Sequence, residues 1–270
     1  MKVILSRKGF DSSRGGKPSP IFEDGTMLSL PIPDEESTMP FAKVRPRGIE
    51  IGDIVQDLTN GRVPCTMGAH LDPALERSTI QRSPNWLPNF GQSGAAQKHL
   101  ANQGVGIDDL FLFFGWFRRV EQVNGHYRYV KDAPDVHVIF GWLRIGQMLN
   151  VDRDLPPLWL KGHPHLQGRS PSPNVIYIAD RPEAGGIFDE FHIGLQLTAK
   201  GYSRSHWRLP GWFHPRRGHA LSYHRNERRW EKLGSDALLH TVGRGQEFVL
   251  DCPHFPEALE WIRKTVGCKA

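Results

Sequence analysis

Two apolar segments of similar design, "GIDDLFLFFGWFRRVE" at 106–121 and "DVHVIFGWLRIGQML" at 135–149, limit the fold more than any other feature. Each carries an aromatic or aliphatic run into Phe-Gly-Trp, then an Arg, then a return to apolar residues. Residues 127–130 between them read as a short strand. The spacing predicts a strongly bent antiparallel unit, with Gly115 and Gly141 at bulges or close crossings. Further strands are expected at 3–6, 175–179, 192–198 and 248–251. A second apolar piece lies at 27–32, and "GDIVQDL" is a short, partly buried element. Residues 70–75, "HLDPAL", sit in a loop because the residue before Pro73 avoids helical geometry. Residues 33–48 read as an exposed connection, and 81–94 as a stretch rich in Pro, Asn, Ser and Gly. Helices are expected at 94–104, ended by Gly104, and at 256–266, opened by Pro256. Few helices, many short strands, 28 Gly and 21 Pro predict an α+β class. The expected form is strand-rich, a bent antiparallel sheet or partial barrel with long loops, in a single domain over 1–270.

The longest apolar run is the eight residues 110–117. A membrane span needs about 20, so none is expected. The start of the chain lacks the apolar core of a signal peptide. Cys65, Cys252 and Cys268 have no paired spacing and read as free thiols in a reducing, cytoplasmic setting. Charge is unevenly placed. Residues 201–270 hold twelve Lys/Arg against seven Asp/Glu, which accounts for the whole net charge of +5. Within 202–232 there are eight Lys/Arg, four His and six aromatics. Guanidinium groups fork onto phosphate and aromatic rings stack on unpaired bases. This stretch, with Arg204, Trp207, Arg208, Arg216 and Arg217, is expected to contact a nucleotide or nucleic acid.

"SRKGFDSSRGGKPSP" at 6–20 crowds four cations, three glycines and four serines around one acid, Asp11. It is not a phosphate-binding P-loop, because Gly16 and Lys17 are followed by Pro18. Arg7, Lys8, Ser12 and Ser13 still suit an anion cradle, with Asp11 facing chemistry or closing the turn. Two i, i+2 pairs, His70 with Asp72 and His163 with His165, would each share a face on an extended chain. Together they would make a shell of three His and one carboxylate, suited to iron, zinc or manganese. The order Arg7, Ser203-Arg204-Ser205, Gln246-Glu247 is similar to the Arg, Ser-x-Ser, Glu series of ADP-ribosyltransferases. No GxSxG elbow or GxGxxG turn is present.

The opening block, "HLDPAL", "FGQSGAAQKHL", "DLFLFFGWFRRVE", "YSRSHWRLPGWF" and "GQEFV" together resemble the family called nucleotide modification associated domain, type three. The resemblance spans nearly the whole chain. It implies a role in modifying nucleotides or nucleic-acid bases and leaves the reaction open. Its motifs single out Lys8, Asp11, Ser12, Ser13, His70, Asp72, Gln92, Ser203, Arg204 and Glu247. Residues 106–121 are also similar to a strand of PUA-like domains, which hold a flipped base in a bent barrel. Asp108 departs from that pattern. Three readings follow. The chain is an enzyme on nucleotides or bases, with Asp11, Asp72 and Glu247 as its acidic groups. Or it is a non-catalytic reader of modified bases. Or it is a metal-dependent enzyme on a small molecule or peptide.

Overall fold

The computed structural model describes residues 1–267 apart from 169 and 244. Cys268 lies outside the described residues; Cys65 and Cys252 are free thiols.

Strand β1 (Lys2–Arg7) is buried along its middle and occupies an inner position of the main sheet. Its near-continuous apolar run suits a strand covered on both faces. On one side it pairs antiparallel with β13 (Glu247–Asp251) and on the other parallel with β4 (Leu110–Val123). β4 then pairs antiparallel with β6 (Val136–Arg144), and β6 with β9 (Gly185–Ile187). The β4–β6 ladder slips between Phe113 and Phe114, leaving Phe140 as the extra residue of a bulge. The Phe-Gly-Trp glycines sit where expected. A Cβ on Gly115 would lie 2.9 Å from the Lys8 carbonyl oxygen, and one on Gly141 would lie 2.8 Å from that of Gly186.

The far half of β4 pairs with β5 (His126–Tyr129), antiparallel, and with β2 (Ser19–Ile21), parallel. The sheet is thus mixed. The parallel pairings were not foreseen, because they join segments far apart in sequence. β1 and β2 pair with consecutive stretches of β4, 110–114 and 117–119. Residues 8–18 are therefore an excursion between two strands lying along one neighbour.

Two small antiparallel sheets complete the framework. One has the order β10 (His206–Pro210), β12 (Asp236–His240), β11 (Trp230–Leu233). The other has the order β3 (Asn89–Ser93), β8 (Asn174–Ile178), β7 (Gln147–Asn150). Helix α1 (Ile51–Leu58) buries Ile51, Ile54, Val55 and Leu58, one helical face, against Phe10, Leu28 and Phe41. "GDIVQDL" is therefore helical. Helix α2 (Gly94–Asn102) follows β3 directly, and α3 (Ala258–Val266) lays Ala258, Ile262 and Val266 on the main core.

Three expectations need correction. Residues 192–198 do not form a strand. Leu195 and Leu197 are buried, but the N–H groups of Leu195 and Gln196 turn back to the His192 and Ile193 carbonyls. Those donors close a turn instead of a ladder. Within 81–94, β3 is a real strand. The described strands form no closed barrel, and Phe111–Phe114 are core residues rather than the wall of a base pocket, against the PUA-like likeness. Among the described residues no helix is long and apolar enough to cross a membrane.

Candidate metal centre

The two His/Asp pairs meet. A ring nitrogen of His70, a carboxylate oxygen of Asp72 and a ring nitrogen of His165 all lie within 4.8 Å of one another. His163 completes the group, with Nε2 3.4 Å from Asp72 Oδ1. The local structure differs from the extended chain that the spacing suggested. Pro164 opens a 3-10 turn over Pro164–Leu166, and the His165 backbone N–H donates to His163 Nδ1 at 3.1 Å. This bond fixes the tautomer. A neutral His163 carries its proton on Nε2, aimed at Asp72.

His165 is fixed in the opposite sense. The Asn174 amide nitrogen donates to the His165 carbonyl at 3.0 Å, so its Oδ1 accepts from His165 Nδ1 at 2.7 Å. His165 Nε2 then carries a lone pair and lies 3.6 Å from Asp72 Oδ2. A carboxylate oxygen and an imidazole lone pair face each other in a buried place. They are too far apart for a hydrogen bond. Two ligands about 2.1 Å from a shared ion, roughly 90–110° apart, are about 3.0–3.4 Å from each other. Asn174 is the kind of outer partner that sets the basicity of a metal-bound imidazole.

Strand β3 holds this group together. The Gly91 N–H donates to Asp72 Oδ1 at 2.8 Å. A Cβ on Gly91 would lie 2.4 Å from His165 Cδ2 and 2.8 Å from His163 Cε1, so only glycine admits both rings. Burial raises the Asp72 pKa, but the neighbouring His163 ring, with His165 and His70 beyond it, more than reverses this and holds it well below the usual carboxylate range. Burial lowers the His163 pKa and keeps that ring neutral, against the pull of Asp72.

His70 and His163 open onto a cleft of about 520 Å³, whose wall also includes Arg14, Arg82, Trp86 and Trp159. That volume is within the range of small-molecule sites. Asp72 lines a smaller cavity of about 90 Å³ behind it.

Glu247 lies elsewhere. It is opposite Ser6 on β1, so it faces the side of the sheet that Ser6 and Lys8 share. One carboxylate oxygen, Oε1, accepts from Ser6 Oγ at 3.1 Å, Lys8 Nζ at 2.9 Å and Gln92 Nε2 at 2.5 Å. The other, Oε2, is buried without a donor among the described residues. Lys8 also sits 4.4 Å above the Phe90 ring. Gln92 and Phe90 project from one face of β3, and Gly91 from the other. Arg7 points to the opposite face of β1 from Glu247, towards Phe114. The Arg and Glu of the ADP-ribosyltransferase-like series therefore do not share a cleft, and that likeness ends at the sequence.

The opening loop is closed on itself. Asp11 Oδ1 accepts from the Ser13 N–H, the Ser13 hydroxyl and the Arg14 N–H, each at 2.7 Å, and the Asp11 carbonyl takes the Gly16 N–H. Phe10 is buried against Phe41. Of the donors expected to cradle an anion, Ser13 is spent inside the turn and Lys8 on Glu247. Ser12 is exposed, and of this loop Arg14 alone reaches the large cleft.

The basic aromatic stretch wraps the core. Trp207 is 1% exposed, and its Nε1 donates to His137 Nδ1 and to the Arg204 carbonyl, so it offers no face to a base. Arg208 pairs with Asp236, and Arg216 with Glu257. Arg204 lies 3.8 Å above the Trp116 ring. Ser203 and Ser205 bond to each other and to His206.

The sequence reading missed Asn174 and Gly91, which orient the histidines. Arg82 and the tryptophans of the cleft were also missed.

No curated protein and no solved structure matches the chain. A family model does match, over residues 2–251. The motif blocks that supply Lys8, Asp72, Gln92 and Glu247 all fall inside that span, and the chain belongs to the family described as nucleotide modification associated domain 3.

Proposed function

We propose that the protein is a metal-dependent enzyme that modifies a nucleotide or a nucleic-acid base, with His70, Asp72 and His165 as metal ligands. The observation that carries this is the facing of His165 Nε2 and Asp72 Oδ2 at 3.6 Å, with the His165 proton committed to Asn174. That arrangement calls for a cation between two electron-rich atoms. A reader of modified bases has no need of it. Two imidazoles and one carboxylate leave open coordination positions, a set suited to iron(II), manganese or zinc. Such an ion supplies Lewis acidity or redox chemistry in the cleft. His163, with Nε2 3.4 Å from Asp72 Oδ1, stands beside that carboxylate as a third imidazole. Membership of a nucleotide-modification family supports the substrate class.

The test is metal analysis of freshly purified protein, followed by mass spectrometry of deoxynucleotides and DNA incubated with it. About one divalent ion per chain is expected. Asp72→Asn should lose the ion. Asn174→Ala should weaken binding by roughly 10–100-fold, as outer partners of a ligand do. Metal-free protein that modifies nucleotides at full rate would remove the proposal.

A further inference from the structure

Arg82 is a largely buried cation without a counter-charge. Its guanidinium lies 5.2 Å from the Trp86 ring centre. Among the described residues it forms no hydrogen bond or ion pair, and its Nε is buried without an acceptor. Burial alone lowers its pKa to about 10. By contrast, Arg144, Arg208 and Arg216 are matched to Asp108, Asp236 and Glu257. An unmatched buried charge is costly, and proteins keep one where a ligand completes it.

Its position is informative. Arg82 lines both the large cleft and the small cavity behind Asp72. Its charge reaches His163 in the histidine cluster. Trp86, on the same wall, is 4% exposed, and its indole N–H is also buried without an acceptor among the described residues. Two unsatisfied donors, one of them charged, thus border one cavity.

We infer that Arg82 and Trp86 form an anion subsite beside the His70–Asp72–His165 cluster, and that the anion is a phosphate of the substrate. The inference rests on taking the cleft as the substrate site, and it adds how the substrate is held. A planar guanidinium forks onto phosphate oxygens, and an indole N–H adds a neutral donor. The phosphate is either the monoester of a free nucleotide or a diester within a polynucleotide.

Isothermal titration of the full chain, stripped of metal by chelation, tests this. The ligands are deoxynucleoside 5′-monophosphates, the matching nucleosides, and a short single-stranded oligonucleotide without terminal phosphates. A phosphate-bearing ligand should bind at least about tenfold more tightly than the nucleoside, as loss of a charged hydrogen-bond partner implies. Arg82→Gln should erase that advantage, and Arg82→Lys should keep part of it. Tighter binding of the oligonucleotide locates the phosphate in a backbone, and tighter binding of the monophosphate locates it on a free nucleotide; either supports the subsite. Equal binding of nucleoside and phosphate ligands, no binding of any, or an advantage that survives Arg82→Gln overturns it. If Arg82→Gln does not fold by circular dichroism, Trp86→Phe serves, and an unchanged phosphate advantage there counts against the subsite. Metal content reports separately. Arg82→Gln should retain the ion, so failure of the metal proposal and failure of the phosphate subsite give different results.

Discussion

A carboxylate inside a cationic loop can serve a ligand or a turn, and at position 11 the nearest N–H groups decide. Three donors converge on Asp11 Oδ1 from Ser13 and Arg14. Asparagine keeps that oxygen as an acceptor. Asp11→Asn is therefore expected to change stability by less than about 1 kcal/mol and to leave the proposed nucleotide modification intact, measured by urea unfolding and by product mass. Loss of activity in a folded variant would show that Asp11 reaches the substrate after all. Glu247 illustrates the reverse situation. Its charge is buried, and three side chains, Ser6 of β1, Lys8 just after it and Gln92 of β3, are committed to it. Ion pairs at such depth are costly to break from one side, since the remaining charge stays behind.

At the scale of elements, β3 is the strand on which the site depends. Its central glycine accommodates two imidazole rings, and its N–H orients Asp72. Gly91→Ala is expected to displace His163 and His165, lower the melting temperature and reduce metal content together. A variant that keeps both would show that the rings can yield. The histidine and aspartate pairs were legible in the sequence, because spacing alone brings His163 near His165 and His70 near Asp72. Their meeting was not. It depends on β3 and β8, and β3 is masked by Pro88 before it and Gly91 within it. The strands of the main sheet were readable from their apolar runs. Its parallel pairings were not, because nothing local reports a partner about a hundred residues away. Trp207 was misread for a related reason. Composition cannot tell a ring that stacks on a base from one that packs on Phe114 and Phe248, as Trp207 does.

For the molecule as a whole, acid should be destabilising well before the carboxylates titrate. Burial, reinforced by Arg204 and Arg7, lowers the His137 pKa to about 3. Burial likewise lowers His224 to about 4. Both are neutral in the folded chain, where His137 Nδ1 accepts from Trp207 and His224 Nε2 accepts from Val242. An unfolded histidine takes up its proton near pH 6.5. Between that pH and the folded values the unfolded chain binds more protons. Stability is therefore full above about pH 6.5 and falls as the pH drops, by about 1.4 kcal/mol per unit for each histidine. Urea unfolding at about pH 7.5 and about pH 5 should differ by roughly 2 kcal/mol per histidine, and His224→Gln should remove its share. A flat profile would show that neither ring is held neutral. The position of β1 has a consequence of another kind. It lies between β4 and β13, and β13 begins at Glu247. At about 5–20 residues per second, a ribosome needs roughly 12–50 s to pass from the end of β1 to the start of β13. Throughout that interval the nascent β1 has at least one edge open and Lys8 has no carboxylate opposite it, so the newborn chain carries an unpaired strand edge until β13 is made.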